Sequence, residues 1–210
     1  MSEIVEEINR LHRKVGVRQV EAGQARTVLL RRTYDADVAD VWDAVTSPER
    51  IGRWFLPVSG EFRVGGRYRL EGNAGGEILE CDAPTRLRVS WLYGPDPGFS
   101  EVEVRLAPDG EGRTVFELEH VAVVPEEFWD RFGPGSVGVG WDLMFLGLGL
   151  HLAGGGLGKE EAEAWQTSPE AKEFMTRSGR EWGAAYAASG ADAGTVAATT
   201  AATIRFYTEG

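Results

Sequence analysis

Apolar residues recur with two different periods in the first part of this chain. Between residues 28 and 34 they lie on one side of a period-two pattern, which is typical of a strand with one buried face. Between residues 38 and 45 they follow the i, i+3, i+4, i+7 spacing of one helix face. Pro48 indicates that a second short helix begins after a Thr-Ser cap and ends near residue 55. The pattern therefore predicts a strand followed by two helices.

The middle of the chain contains six further strand-like segments. Where the alternation is clearest, one face is apolar and the other is charged, which is typical of an antiparallel sheet with one solvated side. Gly65 and Gly66 indicate a hairpin between the first two segments, and residues 108–110 indicate a turn between the last two. The six segments are Val58–Val64, Arg67–Gly72, Gly76–Asp82, Arg86–Tyr93, Glu101–Leu106 and Thr114–Val121.

Helices are predicted before and after these strands. Residues 3–15 carry one apolar stripe, so we predict an N-terminal helix there, followed by a linker over residues 16–25. A short helix is predicted over residues 125–132. A long apolar helix is predicted over residues 136–153, where three glycines end it.

The composition changes after this long helix. Ser168 and Pro169 indicate the start of a further helix, and an Ala- and Thr-rich segment over residues 191–203 predicts a weaker one. The predicted organisation is an N-terminal helix and linker (1–25), a sheet domain (26–156) and a C-terminal helical extension (157–210).

Charge and composition narrow the class of protein. The 210-residue chain has a net charge of −11, which argues against binding nucleic acid or an anionic membrane surface through bulk electrostatics. Its single cysteine, Cys81, cannot form an internal disulfide, and the N-terminus lacks an apolar signal segment, so we expect a cytoplasmic protein. The apolar run around Leu143–Leu152 is shorter than the roughly 20 residues that cross a membrane. We predict a helix buried in protein there, with no membrane insertion.

Several short motifs follow one another in a fixed order through the sheet domain. They are Tyr34-Asp35-Ala36-Asp37, Val41-Trp42-Asp43-Ala44, Thr46-Ser47-Pro48-Glu49, Arg53-Trp54-Phe55, Val64-Gly65-Gly66-Arg67-Tyr68, Gly76-Glu77-Ile78-Leu79-Glu80, Leu118-Glu119-His120 and Gly140-Trp141. In this order they resemble the SRPBCC (START/Bet v-like) superfamily over about Arg26–Ala153. The chain is most similar to the branch named for the C-terminal domain of the activator of heat-shock protein ATPase.

The resemblance implies an α+β helix-grip fold. In this fold a curved antiparallel sheet wraps around a long C-terminal helix, with a hydrophobic cavity between them. Relatives include lipid carriers, polyketide cyclases and chaperone activators, so the resemblance does not select one function. The extra N- and C-terminal helices lie outside the minimal family domain.

Aromatic side chains are concentrated on the inward faces of the predicted elements. They either line a cavity for a flat or lipid-like ligand or fill a solid core, and the resemblance favours the cavity. The candidate ligand-binding residues are Trp54, Phe55, Tyr68, Trp91, Tyr93, Phe116, His120, Trp141 and Phe145.

Three titratable residues are weak catalytic candidates. His120 lies on the apolar face of its strand, where it either orients a ligand, acts as a general base or packs as a hydrogen-bonded core histidine. Asp142 either faces the cavity mouth or caps its helix, and Glu77 points either inward or to solvent. A pair of His120 with Glu77 or Asp142 would be the best acid–base candidate. The three histidines lack the spacing of metal ligands, so we predict no metal and no cofactor.

Several other features have a structural and a functional interpretation. The pairs Gly65-Gly66 and Gly75-Gly76 fit hairpin turns better than a phosphate-binding loop. Cys81 fits a small buried apolar residue better than a nucleophile.

Two sets of aromatic residues in the C-terminal half also have two interpretations each. Phe128, Trp129 and Phe132, with Gly133 and Gly135 as hinges, predict either a lid over the cavity or a packed short helix. The stripe of Phe174, Trp182 and Tyr186 predicts either packing onto the domain or a homodimer through the terminal helices.

These observations favour a protein that binds a small hydrophobic ligand between the sheet and the C-terminal helix. Two alternatives stay open at this stage. One is a protein-binding module like the chaperone ATPase activators. The other is a cyclase- or dehydratase-type enzyme that uses His120 with an acid in the same cavity.

Overall fold

In the computed structural model, which describes residues 3–95, 97–156 and 159–209, eight strands form one antiparallel sheet. The strands are β1 (His12–Val20), β2 (Gly23–Tyr34), β3 (Val58–Gly60), β4 (Arg67–Leu70), β5 (Gly75–Asp82), β6 (Arg86–Ser90), β7 (Ser100–Pro108) and β8 (Thr114–Ala122). Their order in the sheet is β1-β2-β8-β7-β6-β5-β4-β3. Because β2 pairs with β8, a strand from the start of the chain lies next to the last strand within the sheet.

Helices pack on one face of this curved sheet and extend beyond it. They are α1 (Glu3–Glu6), a short 3-10 helix (Glu7–Arg10), α2 (Val38–Thr46), α3 (Pro48–Trp54), α4 (Glu126–Phe132), α5 (Gly135–Leu152), α6 (Lys159–Gln166), α7 (Pro169–Ala188) and α8 (Ala193–Glu209). The long helix α5 shares one hydrophobic core with β2, β7 and β8. The predicted α+β helix-grip fold is therefore confirmed.

The register of the central strands explains where the core lies. Phe116 and Leu118 of β8 face Leu106 and Val104 of β7, and all four side chains are buried. Glutamates and arginines of β6, β7 and β8 form ion pairs on the other face. Since side chains alternate across a strand, one register places these four apolar residues on the face that packs against α5.

The N-terminal prediction is wrong after residue 10. Residues 12–20, predicted as the end of a helix and part of a linker, form β1 and pair with β2 along its whole length. Val15 fits both patterns, but Val17 and Val20 are β-branched residues that favour a strand. The described residues 3–25 are therefore not a helix and linker outside the sheet, because β1 extends that sheet by one edge strand.

The aromatic stripe of α7 packs back within the chain. Phe174 and Trp182 are fully buried, and the Tyr186 hydroxyl accepts a hydrogen bond from Trp129 Nε1 at 3.0 Å. This surface is therefore not free to form the homodimer that the sequence left open. The helix predicted over residues 191–203 is longer than expected and continues to Glu209 as α8. It packs along α7 where Gly183 faces Thr200, and this close approach leaves no room for a Cβ at position 183.

A buried ion pair joins β1, α5 and α7. The Arg13 guanidinium lies 3.0 Å from the Asp142 carboxylate, which also accepts a hydrogen bond from Ser178. Burial raises the pKa of Asp142, and the charge of Arg13 opposes this effect. Asp142 therefore does not face a cavity mouth, as one of its two predicted roles required, but links three elements inside the protein.

By length and composition, α5 meets the criteria for a membrane-spanning helix. Half of the tested segment is buried inside the protein, against the sheet and α7. A core helix passes the same test, which agrees with the predicted buried helix.

Candidate ligand-binding cavity

A cavity of about 420 Å³ lies between the sheet, α5 and the pair α2–α3. Its size is within the range of about 300–1,000 Å³ that is usual for small-molecule sites. Aliphatic side chains from β4–β8 and Met144 from α5 form much of its wall. The aromatic lining residues are Trp54, Phe55, Phe62, Tyr68, Trp91, Phe116 and Trp141.

Most of the aromatic residues that the sequence predicted for the site are in this lining. Trp54 and Phe55 stack at the end of α3, with ring centroids 5.6 Å apart. Trp91 and Trp141 meet where the end of β6 faces α5, with centroids 4.9 Å apart. The fold thus brings together rings that are up to 87 positions apart, as 141 and 54 are, although their contact with a ligand stays a prediction.

Three predicted residues lie elsewhere. Tyr93 is 68% exposed, because β6 ends at Ser90 and the alternation does not continue to residue 93. Phe145 is fully buried in the core, where it packs edge-to-face on Phe116. His120 lies behind Trp141 and does not line the cavity.

His120 connects the cavity wall to β7. Its Nδ1 accepts a hydrogen bond from Trp141 Nε1 at 3.1 Å, so in the neutral ring the proton is on Nε2. Nε2 therefore donates to Ser100 Oγ, 2.8 Å away. Burial lowers the pKa of His120 to about 4, which keeps the ring neutral. This arrangement positions the Trp141 indole.

The same geometry argues against His120 as a general base. A histidine that activates a serine must accept the hydroxyl proton, whereas His120 donates to Ser100. The predicted acid–base pairs are also not formed. Among the described residues Asp142 bonds Arg13 and Ser178, and neither Asp142 nor Glu77 makes a hydrogen bond or ion pair with His120. The sequence pattern does not identify Ser100 as a partner of His120, although Ser100 shares the inward parity of Val102.

The polar atoms of three rings of the aromatic wall, those of Trp54, Tyr68 and Trp141, are hydrogen-bonded within the protein. Trp54 Nε1 donates to the Ala44 carbonyl at 3.0 Å. The Tyr68 hydroxyl donates to the Ser90 carbonyl at 2.8 Å, and burial raises the pKa of this phenol well above its usual value. The rings therefore present apolar faces to the cavity, with their polar ends directed into the protein.

The connection between β3 and β4 covers one side of the cavity mouth. Phe62 and Val64 line the cavity, yet both are exposed. The backbone is held in place because Gly65 donates to the Ile78 carbonyl at 2.8 Å and Ile78 donates to Gly66 at 2.9 Å. Gly65 and Gly66 thus lie at the end of the connection between β3 and β4, directly before β4.

Two predictions about this region are wrong. Cys81 is exposed and lines the cavity, because an irregularity in β5 between Ile78 and Glu80 shifts the register. Gly75-Gly76 is not a turn but the start of β5, where a Cβ on Gly76 would lie 2.1 Å from the Ser90 carbonyl oxygen.

The segment predicted as a lid packs elsewhere. Trp129 is buried and bonded to Tyr186, while the Phe132 ring lies 5.5 Å from that of Phe206 in α8. None of the aromatic residues of α4 lines the cavity. The packed-helix alternative is the correct one, and the exposed Phe62 and Val64 cover the mouth instead. The sequence signal for this cover was the pair of apolar residues, Phe62 and Val64, that precedes Gly65-Gly66.

In the part of the chain that the structure describes, no group of three or more histidine, cysteine, aspartate or glutamate side chains could hold a metal ion.

Comparisons with known proteins agree with this geometry. Residues 35–152 match the family model described as Activator of Hsp90 ATPase homolog 1-like protein. The solution structure of CalU16 from Micromonospora echinospora is 40% identical, covers 85% of this chain and 96% of that chain, and has a TM-score of 0.70. The crystal structure of CalU16 is 38% identical, with coverages of 83% and 97% and a TM-score of 0.67.

A more distant similarity has the same fold. The crystal structure of MLL2253 from Mesorhizobium loti is 26% identical and covers 63% of this chain and 100% of that chain, with a TM-score of 0.54. A comparison with curated proteins gave no match. The CalU16 alignment extends beyond residues 35–152, so part of the terminal elements has a counterpart in that protein.

Proposed function

This chain belongs to the Activator of Hsp90 ATPase homolog 1-like family, and we propose that it binds a small hydrophobic ligand, lipid-like or aromatic, between the sheet and α5. The observation that carries this proposal is the apolar cavity of about 420 Å³, which is open at a mouth formed by exposed apolar residues. A ligand would cover Phe62 and Val64 and fill the space beneath them.

The energetics favour an apolar ligand of moderate affinity. Removing about 250 Å² of apolar surface from water gains roughly 6 kcal/mol. Ordering the ligand offsets part of this gain, so a dissociation constant no tighter than about 40 μM is expected from apolar burial alone. The wall has few free polar atoms, which means that shape and apolar contact select the body of the ligand.

A binding role is better supported than a catalytic one. Among the described lining residues, the side chains with an acidic or basic group are Arg63, Tyr68 and Cys81. Arg63 is a permanent cation and the Tyr68 phenol is engaged with Ser90, so neither supplies a general base. The unpaired thiol of Cys81 supports a reducing cytoplasm as the location that we propose.

Cavity filling tests the proposal. We would titrate the protein with aminoanthracene, a neutral fluorescent aromatic probe, and record native mass spectra of the complex. The Val89→Phe variant places extra atoms in the cavity, and the probe should bind it about tenfold more weakly, because the added ring occupies space that the probe would fill. Val17→Phe is the matched control, because Val17 is exposed on β1 and does not line the cavity.

The expected result is a one-to-one complex that is weakened by Val89→Phe and unchanged by Val17→Phe. A protein that binds no probe, or equal affinity in the wild type and Val89→Phe, would contradict the proposal. The folded state of each variant is checked by circular dichroism, so a loss of binding is not confused with unfolding.

A further inference from the structure

Arg63 is the single charged side chain among the described residues that line the cavity. It lies between Phe62 and Val64 on the connection that covers the mouth. Its backbone is fixed, since Arg63 N–H donates to the Glu61 carbonyl at 3.0 Å and Gly66 N–H donates to the Arg63 carbonyl at 2.8 Å. The fold thus fixes the backbone from which one guanidinium extends, beside an otherwise apolar site.

The present partner of Arg63 is a carboxylate that can be replaced. Arg63 Nη2 lies 2.5 Å from Glu61 Oε2, and the two side chains are 70% and 65% exposed. An exposed ion pair contributes little to stability, so exchanging Glu61 for another carboxylate costs little. The exposed pair shows that this guanidinium, on a residue of the cavity lining, donates to a carboxylate.

The interior offers no competing site for a charged group. The polar atoms of Trp54, Tyr68 and Trp141 are bonded to Ala44, Ser90 and His120, so these three rings have no free donor for an anion. The chain as a whole has a net charge of −11, which disfavours anions away from a local cation. An anionic group is therefore accommodated at the mouth, beside Arg63.

From this placement we infer that the ligand is an amphipathic carboxylic acid, with its apolar body in the cavity and its carboxylate on Arg63 in place of Glu61. This inference rests on the proposed function and adds the chemical class of the ligand. Glu61 then acts as an internal competitor that neutralises Arg63 in the empty protein.

The test compares an acid with its uncharged analogue. Decanoic acid and decanol displace aminoanthracene from the wild type, Arg63→Gln and Glu61→Gln at neutral pH and low ionic strength. The measured quantity is the Kd of decanol divided by the Kd of decanoate, which cancels the shared apolar tail. The ratio should fall at least about threefold in Arg63→Gln, with decanol affinity retained, and rise in Glu61→Gln, because an exposed charge pair contributes up to about 1 kcal/mol.

Arg53→Gln is the matched control. Arg53 on α3 also forms an exposed ion pair, with Glu49, but does not line the cavity. This variant removes the same charge and should leave the ratio unchanged.

Each failure is distinguishable. If neither aminoanthracene nor decanol binds the wild type, the proposed function is wrong and this inference with it. If decanol binds but the ratio is equal in the wild type and Arg63→Gln, or Arg53→Gln changes it as much, the carboxylate site is refuted and the cavity remains a site for neutral ligands.

Discussion

His120 should make the protein sensitive to acid. In the folded chain its ring is buried, and both nitrogens are used as those of a neutral imidazole, one accepting from Trp141 and one donating to Ser100. Burial lowers its pKa from the ordinary 6.5 to about 4. A protonated ring would have no acceptor for Trp141, so charging His120 is costly only in the folded state.

The size of the effect follows from the two pKa values. Above about pH 6.5 the ring is neutral in the folded and the unfolded chain and has no influence on the pH dependence. As the pH falls from 6.5 to about 4, the unfolded chain takes up a proton that the folded chain does not. At 1.36 kcal/mol for each pH unit, the free energy of unfolding should fall by roughly 3 kcal/mol because of His120.

The His120→Gln variant isolates this contribution. A glutamine side chain offers one acceptor and one donor, as the neutral imidazole does, but it does not titrate in this range. Urea unfolding followed by tryptophan fluorescence, at a series of pH values between about 4 and 7, gives the free energy of unfolding of both proteins. Subtracting the two curves removes the contribution of every other titrating group.

The difference between the two curves decides the matter. The wild type should lose roughly 3 kcal/mol more than His120→Gln over this pH interval. Parallel curves for the wild type and His120→Gln would refute the buried neutral histidine and with it the hydrogen-bond chain to Trp141.

Three further predictions use other parts of the fold. Gly138→Ala should lower the free energy of unfolding by roughly 2–4 kcal/mol in urea titrations, because its Cβ would lie 2.3 Å from the buried indole of α7, whereas Gly140→Ala at an exposed position should be neutral or stabilising. The Arg13→Met variant should lower the free energy of unfolding by about 3–5 kcal/mol, because it leaves the Asp142 carboxylate without its ion-pair partner. The double variant with Asp142→Leu should recover much of this loss. A double variant as unstable as Arg13→Met would contradict the reasoning. Alkylation of Cys81, followed by mass spectrometry, should slow when decanol occupies the cavity, and an unchanged rate would place the ligand elsewhere.

The centre of the fold was predictable because local and tertiary preferences agree there. In β7 and β8 the alternation of apolar and charged residues admits one buried face, and α5 has few polar positions. The first edge strand was not predictable in this way. Around Val15 the apolar spacing fits a helix or a strand, and pairing with β2 decides between them.

The site was predictable in part, for a related physical reason. Residue parity correctly placed Trp91 and Phe116 on the inner face. Parity does not tell where a strand ends, which misplaced Tyr93, nor where a bulge shifts the register, which misplaced Cys81. An inward residue lines the cavity or packs in the core, as Phe145 does, depending on where α5 lies across the sheet.

The cavity persists because its aromatic wall is anchored from behind. Trp54, Tyr68 and Trp141 each direct a polar atom away from the cavity, to a carbonyl oxygen or to His120. A ring that turned inward to fill the space would break this bond and leave a buried polar group unpaired, which costs about 1–3 kcal/mol. Turning all three rings inward would break three such bonds. A ligand fills the same space without breaking any of these bonds, so the arrangement that keeps the cavity open also favours an occupant from outside the chain.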